Sequence, residues 1–580
     1  MRRAHAHAVF HYQHSDRGQL VSLKREPTEE GLAQGLTADE VRLTYDAAGY
    51  LSGECGSEGS ITYTRDALGN VSTLSLPEGD TLRWLHYGSG HVSAVKFNHQ
   101  VISEFTRDRL HREITRTQGR REQRREYDRL GRLTSQRSGL WEVAAPEQQI
   151  LSRALSYTAA GELASVKDTL RGDVQYDYDA EGRLLKRIDV HWQVHHRAYG
   201  YDAADNIQDS NPSASAFPLF DNRLLNWRNL WNQYDGQGNL IRRRDGGTEQ
   251  FYRYDADNRL LEARGRGPLG EFVARYGYDA LGRRTRKTVI WGENGKQDDT
   301  HFLWEGFRLL QARHADRTES YVYDPNVWWS PLARITRQAG AHDGDIRWFN
   351  TDLNGAPLEM TDADGAVRWS GDYGTFGAVN GQTQDSAALR HGKPVEPQPL
   401  RYAGQYADDE TGLHYNLFRY YDPTVGRFTT QDPIGLAGGD NLYQYAPNPI
   451  RWVDPLGLEK IVRGMTNDNG SPKVGPSARE LGARPGTDIK VDANGNVHPN
   501  SGGVSVSPNT DGLPNHRKPP EFGGTGKDPV WELDTSDLGK DLKHVPDSRT
   551  HGTIQPSRTM SVEEYQRALA STKGKWKLCQ

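Results

Sequence analysis

Two aspartates carry the most specific chemical possibility in this sequence. Asp432 opens "DPIGL" and Asp454 opens "DPLGL", 22 positions apart. Two carboxylates brought together cannot both ionise cheaply, so one keeps a proton near neutral pH. The ionised partner can take a proton from water while the protonated one polarises a carbonyl, which is the division of labour needed to hydrolyse a peptide bond. Asp before Pro is also a common turn opener, so an isolated Asp-Pro-x-Gly reads as a capped turn.

A second set of candidates follows Asp454. Past "DPLGLEK" come an Arg-Gly in "KIVRGM" (Arg463), a small-residue strand "GGVSVSP" (Gly503, Ser505) and the stretch "THGTIQP" (His551, Gln555). An Arg-Gly strand, a central strand with Ser between apolar residues and a late acidic or amide position resemble the constellation of ADP-ribosyltransferases, which implies an Arg that holds NAD, a strand Ser that shapes the nicotinamide-ribose pocket and a late polar group that supports positive charge developing on the sugar. Glu563 and Glu564 are better placed as first-turn charges of a helix over "MSVEEYQRALASTKGKW", capped by Ser561 and striped by Val562, Tyr565 and Leu569.

The elements that must position these residues are mostly strands. The 580 residues exceed one ordinary core. Mean hydropathy is −0.82, yet the chain has 14 Trp and 27 Tyr, a mix that argues for aromatic-faced sheets rather than disorder. A net charge of −5 is too balanced to imply nucleic-acid binding by the whole chain. Cys55 and Cys579 make no disulfide framework. The start has no apolar run long enough for a signal peptide, and no stretch approaches the ~18 apolar residues of a membrane span.

Up to about residue 330 one unit recurs: "YDAAGYL" at Tyr45, then "YTRDALGNV", "YDRLGRL", "YTAAGEL", "YDAEGRL", "YDAADNI", "YDGQGNL", "YDADNRL" and "YDALGRR" at Tyr278. Each reads as an aromatic strand end, an Asp-x-x-Gly turn in which Gly or Asn accepts positive φ, and a departing strand. One such hairpin cannot bury its own face, but a stack can. A long, curling antiparallel sheet is expected, with Tyr and Trp stacked between neighbouring strands.

This array resembles the YD repeats of Rhs proteins and of insecticidal toxin C-components. "ETGLHYNLFRYYDPTVGRFTTQDPIG", then "NLYQYAPNP", then "DPLGL" closely resemble the Rhs-associated core. The resemblance implies a mainly β fold in which the sheet spirals into a hollow cocoon around the carboxy-terminal segment. It divides the chain into a repeat shell (1–345), a core (346–458) and a small α+β cargo (459–580). It also implies that Asp432 and Asp454 form an aspartyl-protease-like self-cleaving site, assisted by Asp409 and Arg427, with the cut at Leu458–Glu459. Because the chain begins in mid-array, the amino-terminal regions of full-length relatives are expected to be missing.

The last segment is similar to the type VI secretion exported effector two family of ADP-ribosyltransferase toxins, through "NVHPNSGGVSVSP", "THGTIQPSRTMSVEEYQ" and a Trp near the end. That likeness implies a small α+β transferase that uses NAD and no metal, with Arg463, Ser505, His551 and Gln555 as catalytic residues and Arg463, Gly503 and Ser505 around the cofactor. No catalytic glutamate stands out. The expected function is an antibacterial polymorphic toxin, exported by a contact-dependent, type VI-like route and acting in the target-cell cytoplasm. Its expected partners are its own encapsulated cargo, an immunity protein and, in the full-length form, a secretion-tip protein and chaperone. Two alternatives stay open: a nuclease cargo using His498, His516, His544 and His551, or a YD-repeat surface and adhesion protein. An adhesin, however, needs no cut at residue 458.

Overall fold

The computed structural model describes residues 2–579 apart from 89, 141–150, 190–196, 210–218, 293–294, 384–394, 436–440, 447, 451–452, 456–459, 469–470, 478, 493–494, 500, 508–512, 515, 520–525, 535–537, 539–540 and 549–550. It divides into two compact units. The first is Met1–Gln431 with Tyr443–Leu456, the second Asp432–Leu442 with Gly457–Gln580. The bond Leu458–Glu459 lies outside the described residues. Among the described residues no helix is long and apolar enough to cross a membrane.

The first unit is built from two long antiparallel strips. One has 19 strands, between Arg2–Ala4 and Ile207–Asp209; the other has 15, between Asn226–Trp227 and Val379–Thr383. In both, each strand pairs with the next in sequence, as repeated hairpins demand.

The repeat motif explains the strips atom by atom. In "YDRLGRL" the Asp128 carboxylate accepts the backbone N–H of Leu130 and of Arg132, both at 2.9 Å, and Gly131 takes φ +82°. Its second oxygen holds the Arg132 side chain at 2.7 Å. That guanidinium then lies 4.5 Å over the ring of Tyr157, the tyrosine of the next unit. The Tyr157 hydroxyl donates to the Leu133 carbonyl at 2.7 Å, reaching back to the strand that leaves the previous turn. The same reach joins Tyr178 to Leu163, Tyr201 to Leu184, Tyr254 to Leu240 and Tyr278 to Leu260. In the repeats the expected aromatic stacking between strands is therefore replaced by the hydroxyl-to-carbonyl reach, with an arginine over the ring as well at Tyr127, Tyr157, Tyr201 and Tyr278. Each such contact contributes only about 1 kcal/mol, so the recurrence matters more than any single copy.

The two strips run side by side in the same sequence direction. Arg25 donates to the Tyr278 carbonyl at 2.8 Å, Arg337 meets Asp80 at 2.8 Å, and the Trp348 indole donates to the Ile102 carbonyl at 2.7 Å. Gln118 reaches Phe349, and Arg187 reaches Tyr373. The sequence separation of these partners is 253 residues at Arg25 and 186 at Arg187, so each strand faces one roughly a full strip later. This is the signature of two successive turns of a spiral. Between them lie Leu74, Val95 and Phe97 of the first strip and Leu303, Leu332 and Trp348 of the second, in one buried cluster.

Residues 396–428 run back across the second strip. Arg334 donates to the Pro397 carbonyl, Arg284 and Lys287 meet Asp408, Gln250 meets Thr411, and Arg243 meets Asp422. This segment is buried over most of its length, including Tyr415 and Tyr421.

Among the described residues the second unit has three small sheets. Lys460–Gly464 pairs with Val530–Asp534, which pairs with Lys577–Leu578. Val504–Val506 pairs with His551–Pro556, which pairs with Leu542–Ser548. Asn496–Val497 pairs with Met560–Ser561. The expected helix is Val562–Ser571; the Ser561 side chain caps it by accepting from Glu564 N–H, and Tyr565 and Leu569 are buried.

Candidate functional site

In the first unit, the "DPLGL" turn is held by side chains from "HYNLFRYY". The Asn416 amide donates to the Asp454 carbonyl at 2.9 Å. Arg419, almost fully buried, brings Nη2 to 3.4 Å from the Asp454 carboxylate while its guanidinium lies 3.6 Å over Phe428. The Asp454 N–H points at the Tyr445 hydroxyl, 3.4 Å away, and burial together with the Asp454 charge pushes that phenol up. Gly404, at φ +73°, leaves room for the Pro455 carbonyl, which would lie 2.1 Å from a Cβ there. Asn416 and Arg419 were not singled out in the sequence, although both stand within the core motif.

Arg427 is buried in the same unit, 5.3 Å over Tyr443 and donating to the Asn222 carbonyl; burial lowers its pKa. Asp409 is exposed, while its neighbours turn inwards. Asp408 meets Arg284 at 2.5 Å and Lys287 at 3.0 Å, and Lys287 also meets Glu410 at 3.1 Å. Burial pushes the Asp408 carboxyl up, but the two cations outweigh it and hold it below its ordinary range. Glu410 is raised by burial. This ion cluster, rather than Asp409, is the buried feature of "DDETGL".

Asp432, in the second unit, opens its own turn. Its carboxylate accepts the Ile434 N–H at 3.0 Å, its carbonyl accepts the Gly435 N–H at 2.8 Å, and Gly435 takes φ +62°.

The cargo candidates lie on or beside three strands, Lys460–Gly464, Val504–Val506 and His551–Pro556, with different parts of each residue engaged. Arg463, 7% exposed, donates from Nη1 to the Ser505 backbone carbonyl, tying the Lys460–Gly464 strand to Val504–Val506. Burial first, and then Arg517, lower its pKa to about 10, with Asp488 opposing. Val504 and Val506 point inwards, so the Ser505 side chain is exposed on the opposite face. A Cβ at Gly503 would lie 2.2 Å from the Ile554 carbonyl, so that position requires Gly for packing alone. Gln555 is buried, and its amide donates to the Thr553 hydroxyl at 2.9 Å. His551 begins the strand that carries it.

Both parts of the sequence match known families. The teneurin YD-shell family model matches residues 141–450, more than half of the chain. The chain belongs to the teneurin YD-shell family. Its last segment, residues 462–576, matches the Tse2 ADP-ribosyltransferase toxin family.

The YD-shell chain is 43% identical over 467 residues to "Double-stranded DNA deaminase toxin A" of Burkholderia cenocepacia, a match covering 78% of this chain and 32% of that protein. It is 32% identical over 514 residues to "Toxin protein Tse5" of Pseudomonas aeruginosa, covering 76% and 37%. A third relative, "Probable deoxyribonuclease RhsA" of Dickeya dadantii, is 30% identical over 74% of this chain and 29% of its own length. This chain thus spans about a third of those relatives. The YD-shell fold itself is shared with the Photorhabdus luminescens Tc holotoxin pore, with a TM-score of 0.58 at 15% identity over 78% of this chain and 26% of that one.

Proposed function

We propose that this chain is the shell and cargo portion of an Rhs-type antibacterial toxin, and that residues 459–580 are an NAD-dependent ADP-ribosyltransferase released by self-cleavage after Leu458. The observation that carries the reading is Arg463: a buried cation on the first strand of a segment matching the Tse2 family, fixed to the strand of Ser505. Relatives named for DNA deamination and deoxyribonuclease activity match about three quarters of the chain. Likeness along the shell therefore leaves the cargo chemistry open, and residues 462–576 must carry it.

The residues present suit NAD as substrate. Arg463, with Arg484 and Arg517 near it, offers positive charge to a pyrophosphate. The exposed Ser505 hydroxyl and the buried Gln555 amide are polar groups that would be available to hydrogen-bond the ribose. NAD supplies the ADP-ribosyl group and nicotinamide as leaving group; the chain's task is to hold the dinucleotide and support the positive charge on the sugar as it develops.

For release, we propose that Asp454 and Asp432 act as an acid–base pair, with Arg419 and Asn416 holding the turn that carries Asp454. Export by a type VI-like route, an immunity protein in the producing cell and action in the target cytoplasm belong to the same reading. Transfer of label from NAD to components of a bacterial lysate tests the cargo. Transfer by the chain, absent from Arg463→Ala, is the expected outcome; degradation of DNA or RNA without NAD turnover would replace the transferase with a nuclease.

A further inference from the structure

The ladder between Asn496–Val497 and Met560–Ser561 places His498 and Thr559 one position beyond the Val497–Met560 pair. The His498 Nδ1 lies 3.0 Å from the Thr559 hydroxyl oxygen, and Nε2 lies 2.9 Å from Asp492 Oδ2. Asp492 is itself fixed, because its other oxygen accepts the Asn496 N–H at 2.8 Å and closes the turn. An ionised carboxylate only accepts hydrogen bonds, so in neutral His498 the proton sits on Nε2. Nδ1 is then the acceptor facing the Thr559 hydroxyl. This is the order hydroxyl, imidazole, carboxylate that activates a nucleophile.

The sheet does not need this relay. Val497 and Met560 are already buried beneath it. Thr559 is exposed, and the His498 side chain is 44% accessible, so hydrogen bonds there contribute little to stability. What the arrangement does supply is a hydroxyl open to solvent with a base oriented behind it.

We propose that Thr559 is an ADP-ribose acceptor on this chain itself, with His498 as its base and Asp492 as the positioning residue. The inference rests on the transferase reading above. In the step, Thr559 Oγ1 attacks C1′ of the nicotinamide ribose and the C1′–N bond breaks. Its electron pair leaves with nicotinamide, and the hydroxyl proton passes to His498 Nδ1. The products are an O-glycosidic ADP-ribose on Thr559, nicotinamide and an imidazolium that returns its proton to water.

The test is peptide mapping of the full chain after incubation with NAD and bacterial lysate. ADP-ribose is expected on the peptide containing Thr559, retained in Thr559→Ser, absent from that position in Thr559→Val and at least tenfold lower in His498→Gln. Label in the lysate with none on Thr559 overturns the self-modification and leaves the transferase intact; no label anywhere overturns both. An alkyl fluorophosphonate, without NAD, reads the hydroxyl separately by forming an O–P bond with loss of fluoride. Labelling of Thr559 that disappears in His498→Gln is expected; labelling equal in both would show that His498 does not activate the hydroxyl.

Discussion

Arg419 and Asp454 face each other at 3.4 Å, with the guanidinium carbon 3.6 Å over the Phe428 ring. A buried cation fixed by a ring favours the ionised form of a carboxylate beside it. If Asp454 is the base of the self-cleaving pair, Arg419→Met should slow cleavage at least tenfold, with Arg419→Lys in between. Band intensities over time on a denaturing gel measure this. Unchanged rates in both variants would leave Arg419 a packing residue only.

Arg463 ties two sheets of the cargo together as well as offering charge, so Arg463→Ala should destabilise the segment by about 1–3 kcal/mol besides removing activity. Arg463→Lys keeps a donor for the Ser505 carbonyl but not the fork geometry. We expect it to fold, by circular dichroism and melting of its own transition, while losing NAD turnover at least tenfold.

The buried group Arg116, Glu113 and Asp324 joins the two spiral turns. Arg116→Met leaves the buried Glu113 and Asp324 carboxylates with Arg125, 3.4 Å from Glu113, as their remaining cation, and should cost about 3 kcal/mol. The double variant Arg116→Met/Asp324→Leu should recover part of that loss. Calorimetry resolves the first unit's transition for both.

Asp352 faces a pocket of about 130 Å³ between Arg153, Tyr176, Tyr373 and Tyr402, and burial pushes its carboxyl up to about 6. In the unfolded chain the group titrates near the ordinary value of about 3.9. Between those values the folded state holds the proton and the unfolded state does not. The stabilisation is therefore complete below about pH 4 and lost as pH rises through about 6. Asp352 is partly exposed, and solvent screening reduces the effect to about 1–2 kcal/mol. Asp352→Asn should flatten that part of the pH dependence of the melting temperature.

The repeat fold was legible because each unit states its strand end and its turn within a few residues, with Gly at most turns and Asp205 or Asn258 taking positive φ at two of them. The cation-and-carbonyl clamp on tyrosines such as Tyr157 was not, because Arg132 and Tyr157 belong to different units and meet only when strands pair. Pairing between spiral turns, such as Arg25 with Tyr278, leaves no local periodicity to read. In the cargo, Arg463, Gly503 and Ser505 were recognisable as a group. That the Ser505 carbonyl takes the arginine and that Gly503 is needed for packing required coordinates. The motif points to Asp409, and only coordinates show that it is exposed while its two neighbours form a buried ionic cluster. The relay from Thr559 to Asp492 spans 67 residues and depends on strand register, which sequence order alone does not reveal.

The most direct test is the intact mass of the freshly purified chain. The account predicts two polypeptides divided between Leu458 and Glu459, and a single full-length mass for both Asp432→Asn and Asp454→Asn. A division at that bond in both variants would contradict the aspartyl pair, and a wild-type chain that stays whole under native conditions would contradict self-release of the cargo.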